Sequence, residues 1–382
     1  MQAIPLSLYI HLPWCIRKCP YCDFNSHNQP EQLPEGDYID ALLSDLSSEL
    51  PFIWGRRLTS IFIGGGTPSL FSAQRIDQLL SGINAVLPFR PNLEITLEAN
   101  PGTFEQERFK NYRQAGINRL SIGIQSFNPH HLSILGRIHD RQEALRAADI
   151  ARQAGFDNVN LDLMFGLPQQ TETQAMQDLQ TAVAIAPTHL SWYQLTLEPN
   201  TYFYKHPPTL PEEDDIAQMQ LTGQAYLSAH RYTQYEVSTY AKPNFECRHN
   251  RNYWEFGDYI AIGAGAHGKF TDAATGTITR YQKHRQPKEY LQQAKQGQAR
   301  SSVQTLNTHD IIFEFMLNAL RLRHGFTTSL FSARTGLPQD KLEPALSQAI
   351  AQGWLQTIGE TIRPTEQAWL FLNEIITLFL KD

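Results

Sequence analysis

Short β-branched segments alternate with longer amphipathic segments about six times in the first half of the chain, and this alternation restricts the fold more than any other feature. The predicted strands cover residues 6–11, 60–63, 93–98, 119–125, 159–164 and 190–195. The predicted helices between them cover residues 37–50, 73–86, 105–115, 141–154 and 171–186. Parallel strands joined by helices must be covered on both faces. The pattern therefore predicts an α/β fold, an open, partial (β/α)6 TIM-type barrel rather than a closed ring of eight units.

Polar residues and glycines stand at or near the carboxyl ends of these predicted strands. The segment GGGTP (64–68) follows the second strand, Glu98 ends the third, Gln125 ends the fourth and Asp162 lies in the fifth. Side chains and loops at this end of a TIM-type barrel build the active site. The glycines would let the backbone approach a ligand closely, although a GGG turn can also be only a tight connection.

The two carboxylates allow two interpretations. Glu98 and Asp162 lie in otherwise apolar strands, where a carboxylate can accept hydrogen bonds from ligand hydroxyls or from a cationic ligand group. Alternatively, each could form a structural ion pair with Arg119 or Arg137. Both interpretations stay open at the level of the sequence.

Three of the four cysteines lie in the segment CIRKCPYC, just after the first predicted strand. Thiolates in short loops hold iron–sulfur clusters, and Cys15, Cys19 and Cys22 would supply three ligands of a [4Fe–4S] cluster, leaving one iron open. A structural zinc ion would need a fourth tight ligand. The nearest histidines, His11 and His27, lack a recognisable zinc spacing. The spacing therefore favours the cluster over zinc or chance clustering.

The composition fits a cytoplasmic protein with a large core. The chain is 41% hydrophobic and 18% charged, with a net charge of -6, so it lacks the basic footprint of a nucleic-acid-binding protein. It contains neither a signal-peptide pattern nor an apolar run of about 18 residues that could span a membrane. The distant Cys247 argues against a disulfide framework and is interpreted as a small buried hydrophobe rather than a fourth cluster ligand.

Ten motifs between Tyr9 and Gly268 resemble, in order, those of the coproporphyrinogen dehydrogenase-related branch of the radical SAM superfamily. They are YIHLPWCIRKCPYCDF, FIGGGTPS, LEANPGT, NRLSIGIQSF, LGRIHD, LDLMFGLPQQ, YQLTLEPNT, YEVSTYA, CRHNRNYW and AIGAGAHG. In this superfamily S-adenosylmethionine binds at the open iron of the cluster. The resemblance therefore implies a [4Fe–4S] cluster and S-adenosylmethionine as cofactors.

The resemblance also implies roles for individual residues. Cys15, Cys19 and Cys22 match the cluster ligands. The positions that match cofactor-binding residues are Tyr9, Tyr21, Gly65, Gly66, Thr67, Glu98, Gln125, Arg137 and Asp162. The aromatic residues match positions beside the cofactor, and the glycine turn matches the segment that binds its methionine part. A guanidinium can pair with the methionine carboxylate, and a side-chain amide can donate and accept at once.

Three features favour the heme chaperones of this branch over its oxidases. The oxidase has a further cysteine two residues after the third, where this chain has Phe24, and a longer segment before the motif, where only fourteen residues precede Cys15 here. The segment HNRNYW (249–254) fits a signature that the family links to heme. His249 could be an axial iron ligand beside flat aromatic side chains, or a hydrogen-bonded histidine in a loop.

Two functions follow from the resemblance. The first and favoured one is a heme chaperone that binds the cluster, S-adenosylmethionine and heme and transfers heme to respiratory-chain proteins, touching a membrane only through these partners. The alternative is an oxygen-independent coproporphyrinogen III oxidase, an enzyme that decarboxylates propionate side chains. Because the choice rests on site residues and not on the fold, it stays open whether the chain is an enzyme.

The composition changes after the last motif. Residues 1–270 are predicted to form the core with its extension. Residues 271–305 are polar, with a basic stretch at 283–288, and are predicted to form a linker or an edge excursion. Residues 306–382 are predicted to form a winged-helix-like α+β domain. Its elements would be a helix from 308 to Gly325, helices at 329–335 and 339–352, a hairpin at 354–363 and a helix at 366–380. Its recognition segment is poor in Arg and Lys, so we expect substrate capping or partner contact rather than DNA binding.

Overall fold

A computed structural model of the chain describes residues 4–102 and 106–380. The strands are β1 (Leu6–Leu12), β2 (Trp14–Cys15), β3 (His27–Asn28), β4 (Leu58–Gly65), β5 (Glu94–Ala99), β6 (Arg119–Gln125), β7 (Val159–Phe165), β8 (His189–Gln194), β9 (Thr233–Glu236), β10 (Thr239–Ala241), β11 (Asp258–Ile262), β12 (His267–Thr271), β13 (Ile278–Lys283), β14 (Arg300–Thr305), β15 (Phe326–Thr327), β16 (Leu355–Ile358) and β17 (Thr361–Pro364). The α-helices are α1 (Glu35–Glu49), α2 (Ala73–Val86), α3 (Gln106–Gln114), α4 (Pro129–Ile134), α5 (Arg141–Gln153), α6 (Glu172–Ile185), α7 (Tyr202–Lys205), α8 (Glu213–Ala229), α9 (Arg248–Trp254), α10 (Pro287–Ala294), α11 (Thr308–Ala319), α12 (Thr328–Thr335), α13 (Ala345–Ala351) and α14 (Leu372–Thr377). Shorter 3-10 helices lie at Leu50–Phe52, Pro68–Leu70, Gln339–Leu342 and Ala368–Phe371.

Six parallel strands in the order β1-β4-β5-β6-β7-β8 form the centre of a twelve-stranded sheet. Beyond β8 the sheet continues with the antiparallel strands β10 and β9. Beyond β1 it continues with β11, parallel to β1, and then with the antiparallel strands β12, β13 and β14. The predicted partial (β/α)6 barrel is therefore confirmed, and each predicted strand overlaps an observed one. The predicted helix start at Glu105 lies outside the described residues, and α3 begins at Gln106.

The side chains of the barrel strands alternate between an apolar outer face and a polar inner face, because successive residues of a strand point to opposite sides of the sheet. On β6, for example, Leu120, Ile122 and Ile124 are buried in the hydrophobic core that the strands share with the surrounding helices. The alternate residue Ser121 is buried as well, but its hydroxyl donates to Asp162 of β7. The barrel interior is thus polar, and polar ligands could bind at its open end.

Buried ion pairs hold the edge strands after the barrel against α1. Lys283 of β13 contacts Glu49 at 2.6 Å and also pairs with Asp45, and all three side chains are buried. Arg300 of β14 contacts the second oxygen of Glu49 at 2.6 Å. Residues 271–305 therefore contain edge strands of the main sheet together with α10. The division into segments 1–270, 271–305 and 306–382 stays a prediction.

The C-terminal residues form a second hydrophobic core around α11, α12, α13 and the three-stranded sheet β15-β17-β16. The order of helices and strands is that of a winged helix, as predicted. The predicted helix 339–352 is instead a 3-10 helix followed by α13, since Pro344 between them has no N–H to donate. The predicted helix 366–380 is likewise a 3-10 helix followed by the short α14.

Within residues 4–102 and 106–380, no helix is both long enough and apolar enough to cross a membrane.

Candidate cofactor site

A cavity of about 360 Å³ opens at the carboxyl ends of the parallel strands, and we call it the strand-end pocket. All predicted site residues except Tyr9 and His249 line it. These residues are Cys15, Cys19, Tyr21, Cys22, Gly65, Gly66, Thr67, Glu98, Gln125, Arg137 and Asp162. They come from loops and strand ends that are distant in sequence, and the parallel barrel brings them to one face.

The glycine turn after β4 packs directly against the start of the cysteine loop. The N–H groups of Gly66 and Thr67 donate to the carbonyl oxygens of Leu12 and Trp14, both at 2.8 Å. A Cβ atom on Gly66 would lie 2.6 Å from the Trp14 oxygen, so this position has no room for a side chain. Gly65 has a φ of +119°, which favours glycine. Gly65 and Gly66 are therefore required for the close approach of the two loops that form the pocket wall.

The three cysteines of the loop are free and half-buried. Burial raises the pKa of Cys15 to about 11 and also raises the pKa of Cys22. Thiolates are the form that ligates metal, so binding of a cluster would have to release protons here. In the part of the chain that the structure describes, no three His, Cys, Asp or Glu side chains converge on a position for a single metal ion. Three thiols on one short loop facing a pocket are a donor set that fits a [4Fe–4S] cluster.

Arg137 connects the cysteine loop to the barrel. Its Nη1 lies 3.7 Å from the sulfur of Cys19, and its Nη2 donates to Asn100 Oδ1 and to the Gly123 carbonyl, both at 2.6 Å. Asn100 in turn donates to the hydroxyl of Thr67 at 3.0 Å. Asn100 was not among the predicted site residues, although it belongs to the quoted motif LEANPGT. It joins the arginine to the glycine turn.

The two carboxyl groups of the pocket accept hydrogen bonds from protein groups. Glu98 Oε2 accepts from the Gly65 N–H at 3.1 Å, and Asp162 accepts from Ser121 and Asn160, both at 2.9 Å. Surrounding protein atoms desolvate Glu98 and, together with the charge of Asp162, raise its pKa to about 8. Burial also raises the pKa of Asp162.

The ion-pair interpretation holds for Asp162 only as a longer-range interaction, in which the charge of Arg119 lowers the pKa of this carboxyl against the larger effect of burial. Among the described residues, neither Glu98 nor Asp162 forms an ion pair with Arg119 or Arg137. A desolvated carboxylate without a cation in direct contact is costly. A ligand that brings a positive charge or hydroxyl groups would relieve this cost.

Gln125 has an uncommon backbone conformation at the end of β6. Its φ is +69°, outside the region that most residues other than glycine adopt, and such positions cluster at functional sites. Its side-chain oxygen accepts a hydrogen bond from the Tyr193 hydroxyl at 2.8 Å, which orients the amide toward the pocket wall. Tyr193 also lines the pocket but was missed, although it begins the motif YQLTLEPNT.

The motif AIGAGAHG supports the segment that follows the cysteines. The Asn25 amide donates to the Ala264 carbonyl at 2.9 Å. A Cβ atom on Gly265 would lie 2.3 Å from that amide, and one on Gly263 would lie 2.3 Å from the His11 carbonyl oxygen. Both glycines have positive φ angles. This motif therefore acts on the site indirectly, by holding the cysteine loop in place.

Tyr9 and His249 do not line the pocket. The Tyr9 hydroxyl forms a 2.9 Å hydrogen bond with His11. His249 is 1% exposed and lies on α9, with Ser60 at 3.0 Å from Nδ1 and the Tyr253 hydroxyl at 3.1 Å from Nε2. Burial lowers its pKa to about 3. Because both ring nitrogens are hydrogen-bonded, ligation of heme iron would require one of these bonds to break, and the role of His249 in heme binding stays a prediction.

Comparisons with known proteins place the chain in a family. Residues 9–182 match the Radical SAM superfamily, and residues 306–371 match the HemN C-terminal domain. The relative named Heme chaperone HemW in Escherichia coli (strain K12) is 49% identical over 99% of both chains. The relative of the same name in Haemophilus influenzae is 50% identical over 99% of this chain and 98% of its own. The solved structure of coproporphyrinogen III oxidase (HemN) from Escherichia coli has a TM-score of 0.83 at 24% identity, covering 99% of this chain and 90% of that one.

The fold and the strand-end pocket, with its cysteine loop and glycine turn, are those of the radical SAM superfamily. This class implies a [4Fe–4S] cluster and S-adenosylmethionine. Within it, the similarity over nearly the full length shows that the chain belongs to the HemW family. The likeness to HemN shows a shared fold.

Proposed function

We propose that the chain is a cytoplasmic heme chaperone that uses a [4Fe–4S] cluster and S-adenosylmethionine, binds heme and transfers it to respiratory-chain proteins. The observation that carries this proposal is the meeting of three thiols, a glycine turn and two desolvated carboxyl groups in one pocket. It occurs in a chain that is 49–50% identical to relatives named as heme chaperones.

Cys15, Cys19 and Cys22 would hold the cluster. A cluster with three cysteine ligands offers its remaining iron to S-adenosylmethionine and supplies the electron for its cleavage. Arg137 would support the ligand at Cys19, since its Nη1 donates toward that sulfur at 3.7 Å. The half-buried position of the loop would limit contact between the thiolates and water.

The remaining pocket residues would bind S-adenosylmethionine. Gly65, Gly66 and Thr67 line the pocket, so the backbone of this turn would lie against the methionine part of the ligand. Glu98 and Asp162 could accept hydrogen bonds from an amino group or from ribose hydroxyls, and the Gln125 amide could donate to a carboxylate. Tyr9 and Tyr21 would support the cofactor, with Tyr9 acting through its hydrogen bond to His11.

The C-terminal segment 306–382 would contact heme-accepting proteins. Its winged-helix fold packs around a second hydrophobic core, which also includes Phe256 and Ile278, and its α12 and α13 carry few basic side chains. A surface without a basic patch does not suit nucleic acid. We therefore assign it to partner contact or capping of the pocket.

The proposal is tested with protein that has been reconstituted with iron and sulfide in the absence of oxygen. We expect about four irons per chain, and a loss of iron in Cys19→Ser, because two thiolates are too few to retain the cluster. Ser47→Ala, on the outer part of α1, is the matched control. Heme titration should give about one heme per chain, and heme should then pass to an apo-acceptor. Wild-type protein that binds no heme would overturn the proposal.

The alternative function is oxygen-independent coproporphyrinogen III oxidation. Its support is the fold shared with HemN, and a fold alone does not define a reaction. The reconstituted protein should therefore be incubated with coproporphyrinogen III and S-adenosylmethionine. We expect no protoporphyrinogen, and sustained turnover would favour the oxidase.

A further inference from the structure

Three large apolar side chains are exposed at the mouth of the strand-end pocket. Ile16, Phe24 and Ile138 line the pocket and are 43%, 57% and 53% exposed. Ile16 directly follows Cys15, Phe24 lies two residues after Cys22, and Ile138 directly follows Arg137. We call these three residues the pocket rim. Exposed apolar side chains gathered at one cavity mark a binding surface, since a protein has no structural reason to keep them together in water.

Positive charge borders the pocket rim beside Phe24. Lys18 Nζ donates to the carbonyl oxygens of Phe24 and Ser26 at 3.3 and 3.4 Å. The Asn25 amide donates to the backbone carbonyl of Arg285 at 2.8 Å, so the basic stretch of residues 283–288 lies next to the rim. The side chain of Arg285 is exposed, and it takes no part in the hydrogen bond between Asn25 and the Arg285 backbone carbonyl.

Three further charged side chains line the outer part of the pocket, namely Arg17, Asp23 and Glu198. Arg17 and Asp23 are both exposed there, on opposite sides of Cys19 in the loop. Glu198 is half-buried. Arg17, Lys18 and Arg285 therefore outnumber the carboxylates Asp23 and Glu198 by one positive charge. A ligand that suits this surface has a broad apolar face and negative groups at its edge.

We propose that the pocket rim is the docking site of heme, with the macrocycle against Ile16, Phe24 and Ile138 and its propionates toward Lys18 and Arg285. This inference rests on the proposed function, and it adds the location of the ligand. Flat apolar ligands gain affinity by removing apolar side chains from water, and arginine pairs well with carboxylates. The rim side chains are exposed, whereas His249 is buried and both of its ring nitrogens are hydrogen-bonded.

The apolar part of the proposal is tested by heme titration of Phe24→Ser and Ile138→Ser, followed by absorbance. We expect each to weaken heme binding about tenfold, since the lost contact area is that of an exposed apolar side chain. Phe371→Ser is the matched control, because Phe371 is 61% exposed on the C-terminal domain and does not line the pocket. All three positions are exposed, so the fold should survive, and circular dichroism checks this.

The charged part is tested with Arg285→Glu and with heme dimethyl ester, in which the propionates carry no charge. We expect Arg285→Glu to weaken binding of heme and to leave binding of the ester unchanged. Arg90→Glu is the control, because Arg90 is exposed and lies outside the pocket. If Arg285→Glu affects heme and its ester equally, the propionate contact is wrong.

The outcomes separate this inference from the proposed function. If the wild type binds no heme, the proposed function fails and the rim site fails with it. If the wild type binds heme and the rim variants bind it equally well, only the rim site is overturned. Rim variants that keep heme affinity but lose transfer to an apo-acceptor would make the rim a surface for partner proteins, which also overturns the heme site.

Discussion

Arg137 lies between the cysteine loop and the barrel, with Nη1 3.7 Å from the Cys19 sulfur and Nη2 2.6 Å from Asn100 Oδ1. One side chain thus contacts the thiol of a proposed cluster ligand and, through Asn100, the glycine turn at Thr67. A guanidinium is suited to this position because its donors form a rigid fork and its charge persists at any physiological pH.

Replacing Arg137 with Met should weaken retention of the cluster. The variant removes the guanidinium that contacts the Cys19 sulfur and donates to the Asn100 oxygen and to the Gly123 carbonyl. We expect a lower iron content per chain after gel filtration without oxygen. Arg146→Met, an exposed position on α5, is the control. An iron content equal to that of the wild type would contradict the contact's importance.

Replacing Asp162 with Ala should weaken binding of S-adenosylmethionine by about 1.5–3 kcal/mol, the range for a hydrogen bond to a charged group. Isothermal titration of the cluster-loaded protein measures this. Asp162→Asn is the comparison variant, since its amide has the shape of the carboxylate but carries no charge. If affinity stays unchanged while the melting temperature drops sharply in Asp162→Ala, the carboxylate is structural.

The raised pKa of Glu98 predicts a pH dependence of stability. Burial moves this pKa from 4.5 to about 8, so between these values the folded chain holds a proton that the unfolded chain has released. The contribution of Glu98 to stability is therefore complete below about pH 4.5 and is lost as pH rises to about 8. Glu98→Gln cannot titrate, so its melting temperature should rise relative to the wild type across this window. Parallel pH curves of the two cofactor-free proteins would show that Glu98 titrates normally.

Replacing His249 with Ala distinguishes a core histidine from an iron ligand. The variant removes hydrogen bonds to Ser60 and Tyr253 inside the protein, and we expect the free energy of unfolding to fall by about 1–3 kcal/mol. Denaturant unfolding measures this change. The absorbance spectrum of bound heme should stay the same if heme docks at the pocket rim. A shifted spectrum would instead identify His249 as an axial ligand.

The barrel and most of the pocket could be predicted because both depend on local patterns. Strands with alternating residues, followed by helices, define the parallel sheet, and the carboxyl ends of parallel strands meet at one face. This reasoning correctly brings the cysteine loop, the glycine turn and Gln125 together. Asn100 and Tyr193 were missed because their importance comes from partners far along the chain, Arg137 and Gln125.

The burial of His249 could not be predicted from local sequence patterns for the same reason. The segment HNRNYW carries polar and aromatic residues that suggest an exposed loop, yet it forms α9. Contacts with Ser60 of β4 and Glu94 of β5 bury the histidine. Both partners are more than a hundred residues away in sequence, and no periodicity within the segment indicates these contacts.

The buried ion pairs of Lys283 affect how the molecule could be divided. Asp45 and Glu49 belong to α1 of the barrel, but their cations come from β13 and β14. A chain shortened to end after Gly268 would keep both carboxylates in the interior and lose the positive charges that neutralise them. Breaking a buried pair in this way typically costs about 3–5 kcal/mol. The barrel is consequently less stable as a separate unit. A chimera of two relatives joined at this point would need α1 and the edge strands from the same parent protein.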